Sequence, residues 1–205
     1  MVLVRFARVP GWIDRYDERH PDTVWTVAAD QVTGVSPDGA SAQLPVPFPP
    51  LEGEDLAAYR RHLVRPRELG VLLVRRGGFG VAHVVGSRIV ESKLGQRHVQ
   101  GRTKAGGWSQ QRFARRRDNQ AKEAYDAAAG HAARVLVPVV ARLDELVLGG
   151  DTAGVRAVLE DRRLAALERV PEHWVRGVGD PKRAVLETAV DHACSIEVIV
   201  VDPTR

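Results

Sequence analysis

The sequence holds one cysteine, Cys194, and one methionine in 205 residues. A lone thiol closes no internal disulfide and cannot build a cysteine-rich zinc site, which needs several thiolates at short spacing. In Ala193-Cys194-Ser195-Ile196 it reads as a small core residue, because a catalytic thiol wants a paired base in an electropositive setting and only His192 stands near it. The seven histidines, at 20, 62, 83, 98, 131, 173 and 192, never fall at HxxxH spacing. Neither a metal nor a cofactor is therefore expected. Long apolar runs are missing too. No stretch approaches the ~20 residues of a membrane-spanning helix, and Met1-Val2-Leu3-Val4-Arg5 lacks the basic, apolar and small-residue layout of a signal peptide. The expectation is a soluble, cytoplasmic protein without membrane contact. Aromatics make up only 5%, and Trp12, Trp25 and Trp174 read as core or interface residues. At 44% hydrophobic the chain can still bury a real core, on a length that suits one domain with an appendage.

The most informative shortage is local. Between Ser92 and Asn119 the only acid is Asp118, against Lys93, Arg97, Arg102, Lys104, Arg112, Arg115, Arg116 and Arg117. That window carries +7 of a chain whose formal charge is +4, so the remainder is net negative by three. The excess of one sign is concentrated, which an even distribution of surface charge would not produce.

Along the chain, Val2 to Phe6 and Val24 to Val27 read as strands, and Ser36-Pro37-Asp38-Gly39 as the turn before another. The first third is thus expected to be β-rich with loops. Leu44 to Pro50 contains four prolines, which lack amide donors, and reads as a linker. A short helix over Asp55 to Leu63 follows. Gly70 to Arg76 and Gly80 to Val85 flank Gly77-Gly78, a hairpin signature, and Ser87 to Lys93 offers a third strand. These glycines lie between strands and open no helix, so they make a turn and not a dinucleotide loop. From Ser109 to about Leu148 only Gly130 and Pro138 interrupt a helix-forming composition. Leu146-Val147-Leu148 reads as a strand, Gly154 to Arg169 as a helix capped by Asp151 or Thr152, Pro181 to Ala193 as a helix, and Ile196 to Val201 as a terminal strand. Gly149-Gly150 lacks the Lys-Ser/Thr of a phosphate-binding loop. The sum is an α/β fold: a β-meander, a long helix, then strand, helix, helix and strand, with helices covering a mixed sheet. The domain boundary falls near 66, giving an N-terminal β-rich segment with a Pro-rich linker (1–66) and a second domain (67–205).

The stretch Gly101-Arg102-Thr103-Lys104-Ala105-Gly106-Gly107-Trp108-Ser109-Gln110-Gln111-Arg112-Phe113-Ala114-Arg115-Arg116-Arg117 combines three features. Paired glycines let a backbone approach a ligand closely, Ser109 is suited to cap the helix that follows, and Arg112, Arg115 and Arg116 share one face of that helix. Arginines at a helix N-terminus oppose its dipole, so a negative partner should compensate. Planar guanidinium groups suit phosphates and bases, which makes RNA the expected partner. A metal-dependent nuclease would need neighbouring carboxylates at strand ends. Only Glu91 and Glu197 lie on the expected strands, and neither has an acidic neighbour.

Gly106-Gly107, Ser109 and the run Arg112-Phe113-Ala114-Arg115 with Arg117 resemble the Gly-Gly-Gln loop and helix in the middle domain of eukaryotic and archaeal class-1 peptide-chain release factors. The wider pattern from Lys104 to Gln111 is similar to the Vms-like release factors, particularly their actinobacterial branch. The likeness extends, more weakly, from about Gly70 to Val201, with no counterpart for residues 1 to 66. What the resemblance implies is a release-factor middle-domain fold. It also implies hydrolysis of the ester between nascent peptide and tRNA on stalled or obstructed ribosomes, with the large ribosomal subunit, ribosomal RNA and peptidyl-tRNA as partners. Trp108 stands where the release factors carry their catalytic glutamine. Vms-like members carry theirs displaced beyond the glycines, so the role falls to Gln110, with Gln111 as the alternate, beside Gly106 and Gly107. Arg97, Arg102, Lys104, Trp108, Arg112, Arg115, Arg116 and Arg117 are the expected RNA contacts, Trp108 by stacking on a base or by packing under the loop. A non-catalytic ribosome- or RNA-binding module is the alternative, using the same loop for affinity alone.

Overall fold

The computed structural model describes residues 1–96 and 108–202, and the backbone alone for 108–121. The chain forms two compact units, one of Met1–Pro66 with Cys194–Arg205 and one of Arg67–Ala193. It is an α/β protein with two five-stranded sheets.

The first unit contains β1 (Val2–Arg5), α1 (Val9–Arg19), β2 (Val24–Val27), β3 (Gln31–Val35), β4 (Ser41–Pro45), α2 (Leu56–Val64) and, from the far end of the chain, β10 (Ser195–Val201). Its sheet is antiparallel throughout, in the order β1-β10-β4-β3-β2. Alternation along the strands puts Val32, Ala42, Leu44, Ile196 and Val198 on one buried face, where Val9, Ile13 and Tyr16 of α1 and Tyr59 and Leu63 of α2 pack. Helix α1 departs from the β-and-loop reading of this region. Pro10 sits in its first turn, where a missing amide costs nothing, and Val9, Ile13 and Tyr16 recur at helical spacing on its buried side. The proline segment does not float free: Leu44 and Pro45 close β4, and Pro45 and Pro47 are tied to α2. Tyr59 Oη donates to the Pro45 carbonyl at 2.8 Å, and His62 Nε2 meets the Pro47 carbonyl at 2.6 Å.

In the second unit β5 (Glu68–Arg75), β6 (Gly78–Val85) and β7 (Arg88–Gln96) form the expected meander. Then come α3 (Trp108–Leu136), a 3-10 helix over Val137–Arg142, β8 (Glu145–Gly150), α4 (Thr152–Leu159), a second 3-10 helix over Arg162–Arg169, β9 (Glu172–Val175) and α5 (Arg183–Ala193). The sheet order is β7-β6-β5-β8-β9, with β8 parallel to both β5 and β9. Every residue from Leu69 to Val74 is buried, as a strand covered on both faces must be. On one side Leu72 and Val74 meet Ala128, Ala132 and Leu136 of α3 and Val155 and Val158 of α4; on the other, Leu186 of α5 approaches Gly80. Each buried leucine contributes about 1.5–3 kcal/mol in this setting.

Two differences from the sequence reading have local causes. The helix expected over Gly154 to Arg169 is broken, because α4 ends at Leu159 and Asp161 restarts the chain as a 3-10 helix by accepting from the Arg163 amide at 2.9 Å. Asp151 occupies the N-cap position of α4 without a side-chain cap bond. Strand β9, unforeseen, exists through its pairing with β8.

Where β5 and β8 begin, acids and bases are mutually satisfied. Arg67 reaches Asp144 at 3.3 Å, and Glu68 accepts from His83 at 2.9 Å and from Arg142 at 3.1 Å. Glu145 is the exception, since burial pushes its carboxyl up to about 7, against the opposing pull of Arg67. His173 lies 3.6 Å away but burial lowers its own pKa, so near neutral pH it is uncharged and offers no counter-charge. A carboxyl whose folded pKa is raised stabilises the fold below its unfolded value of 4.5 and loses that contribution as pH rises through about 7. Glu145→Gln should therefore match the parent near pH 4.5 and exceed it by up to about 3 kcal/mol at pH 8. Urea unfolding at the two pH values measures this, and a gap independent of pH would mean that the carboxyl titrates normally.

Candidate functional site

Helix α3 runs against β5. Near its end Leu136 packs at Gly70, early in β5, whereas Tyr125 packs at Gly154 and the adjoining Val74, late in β5. Trp108 stands seventeen positions before Tyr125, about 25 Å along the helix axis, past the end of the sheet where β5 finishes. Strand β7 ends at the same place, with Gln96 paired to Gly78 at the hairpin turn.

Arg97, Arg102, Lys104, Gly106 and Gly107 lie outside the described residues. Trp108, Gln110, Gln111, Arg112, Arg115, Arg116 and Arg117 occupy the first turns of α3, and their side chains also lie outside what is described. Because α3 begins at Trp108, Ser109 falls inside its first turn. Helical register distinguishes the two glutamines, which are about 100° apart. Gln110 and Arg117 stand fourteen and seven residues before Ala124, the first described residue of the stripe that faces the core; Gln111 falls about 140° round from that stripe, one turn before Arg115.

The described surroundings of this end of the sheet are polar. Arg75 and Arg76 are exposed at the hairpin turn, and the phenol of Tyr125 is raised by burial and by nearby Asp151, with Arg76 opposing. His131, stacked on Phe79 with centroids 5.4 Å apart, is held below its usual range by burial, Arg134 and Lys93. Sequence reading passed over Arg75, Arg76 and Asp151 as strand-end and cap residues. Only the parallel pairing of β5 with β8, a contact between distant segments, brings them together. Among the described residues no helix is long and apolar enough to cross a membrane.

These elements define an α/β domain built around one long helix, whose N-terminus receives a basic segment with paired glycines. The chain belongs to the actinobacterial and chloroflexi VLRF1 release-factor family, whose model matches residues 67–199. None of the curated proteins matches it in sequence. Among solved structures it is similar to an archaeal translation termination factor, aRF1, at 14% identity and TM-score 0.35, over 78% of this chain and 51% of that one. It is also similar to the Vms1 mitochondrial localization core, at 10% identity and TM-score 0.46, over 83% of this chain and 76% of that one. A further archaeal protein is 16% identical, with TM-score 0.34, over 78% and 51% of the two chains. The chain spans about half the length of the first and third of these.

Proposed function

We propose that this chain is a cytoplasmic peptidyl-tRNA hydrolase that frees nascent peptides from stalled or obstructed ribosomes. The observation that carries the reading is the family match, whose span of 67–199 includes Gly106-Gly107 and the two glutamines behind them. The reach of α3 supports it, since a reactive group bound for the buried centre of the large subunit has to stand well clear of its own fold. In this reading Arg97, Arg102, Lys104, Trp108, Arg112, Arg115, Arg116 and Arg117 bind ribosomal and transfer RNA, and Gly106 and Gly107 let the backbone close on the tRNA end.

Water attacks the carbonyl carbon of the ester, the bond to the tRNA ribose oxygen breaks, and the water's proton ends on that oxygen. Peptide acid and free tRNA result. A glutamine amide is too weak a base to take the proton. It can accept a hydrogen bond from the attacking water and, with flanking backbone amides, donate to the oxyanion as charge develops. The test is single-turnover peptide release on isolated large subunits carrying peptidyl-tRNA. The expected result is release that rises with protein concentration and saturates; stable binding without release would identify a binding module instead.

A further inference from the structure

At the end of the second unit's sheet, β5 and β8 finish side by side and the chain leaves them in opposite directions. From β5 it turns back into β6 on one flank; from β8 it passes through α4 to β9 on the other. Parallel neighbours whose connections diverge leave a crevice beyond their carboxyl ends, the place where α/β sheets bind ligands. Here it is a cavity of about 550 Å3, with Arg75 and Arg76 from the β5 side, Gly150, Asp151 and Thr152 from the β8 side, and Asp180. Gly150 has φ +102°, and a side chain there would collide with the Val74 carbonyl, so that stretch of wall is bare backbone. Among the described residues neither arginine has an ion pair, and the carboxylates of Asp151 and Asp180 accept no hydrogen bond.

The mixed lining restricts the ligand. A bare anion would meet two carboxylates, and a metal ion would meet two guanidinium groups. A ligand with a phosphate at one end and hydroxyl donors at the other satisfies both, because guanidinium pairs bind phosphate and carboxylates accept from vicinal hydroxyls. We propose that this cavity binds one ribonucleotide, its phosphate on Arg75 and Arg76 and its ribose hydroxyls on Asp151 and Asp180. The lining alone carries the proposal, independently of the hydrolase reading. The source of that chemistry is either the 3′-terminal nucleotide of an RNA strand, whose two ribose hydroxyls are free, or a free mononucleotide. A strand held here would lie at the same end of the sheet as Gln96, the last residue of β7.

The experiment titrates the isotope-labelled full chain with AMP, a 5′-phosphorylated tetraribonucleotide, its deoxyribose counterpart and inorganic phosphate, following the amide signals of Gly77 and Gly150. Saturable shifts of both glycines are expected with a ribonucleotide probe. AMP alone sufficing identifies a free nucleotide, and a requirement for the tetraribonucleotide identifies a strand. The deoxyribose probe should bind more weakly, Arg75→Ala/Arg76→Ala should weaken binding about tenfold or more, and Asp180→Ala should narrow the preference for ribose. The proposal is overturned if no probe moves these amides at millimolar concentration, if phosphate binds as well as AMP, or if the double variant binds unchanged. Peptide release, measured in parallel, reports on the hydrolase reading alone.

Discussion

Gln110→Ala is expected to bind large ribosomal subunits as the parent chain does and to release peptide on the order of 10²–10³-fold more slowly. The amide is asked to hold water and oxyanion only as the ester carbonyl becomes tetrahedral, so its loss should reduce the chemical step and spare the ground-state complex. Gln111→Ala is the necessary companion. The two glutamines sit about 100° apart on α3, Gln110 in line with the stripe that later faces the core and Gln111 one turn before Arg115. A large loss of release in Gln111→Ala with near-normal rates in Gln110→Ala would transfer the role. Parental rates in both would remove the amide from the mechanism, and weakened binding in either would mark that side chain as an RNA contact.

How far the sequence carries depends on whether a signal is local. The meander was legible because Gly77-Gly78 marks a turn between two apolar runs, and each strand's neighbour is next in the chain. Helix α3 was legible from composition but its end was not: the helix-forming composition runs to about Leu148, whereas α3 stops at Leu136 and Pro138 lies in the 3-10 helix that follows. What failed depended on distant partners. Val9-Pro10-Gly11 looks like a breaker until the buried stripe of Val9, Ile13 and Tyr16 is set against the sheet. Strand β9 is four residues long and is defined by β8. The terminal strand was recognised, yet nothing near Ser195 says that it will lie between β1 and β4. The site divides along the same line. The residues proposed to react are contiguous, between Gly101 and Arg117, so a proposal for them needs no distant contact; the cavity at the ends of β5 and β8 joins Arg75 to Asp151 and Asp180 and is out of reach of any local signal.

Replacing Arg115 and Arg116 by glutamate should weaken ribosome binding by about 10³-fold at low salt, taking each lost phosphate contact as about 1–3 kcal/mol with added repulsion from the new charges. The parent's affinity should fall steeply with salt, because arginines that neutralise phosphates release counterions, and the slope should lessen by about 0.7–0.9 per contact removed. The reason to expect so much from two residues lies in their surroundings. Elsewhere in the chain arginines are commonly matched by acids, as Arg60 is by Asp14, Arg156 by Glu172 and Arg163 by Asp161. In the window from Ser92 to Asn119 a single aspartate faces eight bases, and the helix dipole at the start of α3 opposes positive charge further. Such an arrangement is costly in isolation and favourable against a polyanion. The folded chain should accordingly tolerate the reversal, or gain slightly in stability, while its affinity for large subunits drops. Binding measured from 50 to 300 mM salt, together with thermal unfolding of both proteins, separates the cases. Unchanged affinity with a flat salt dependence in the parent would reduce the arginines to a solvated helix face, and the ribosome would then have to be held by other surfaces.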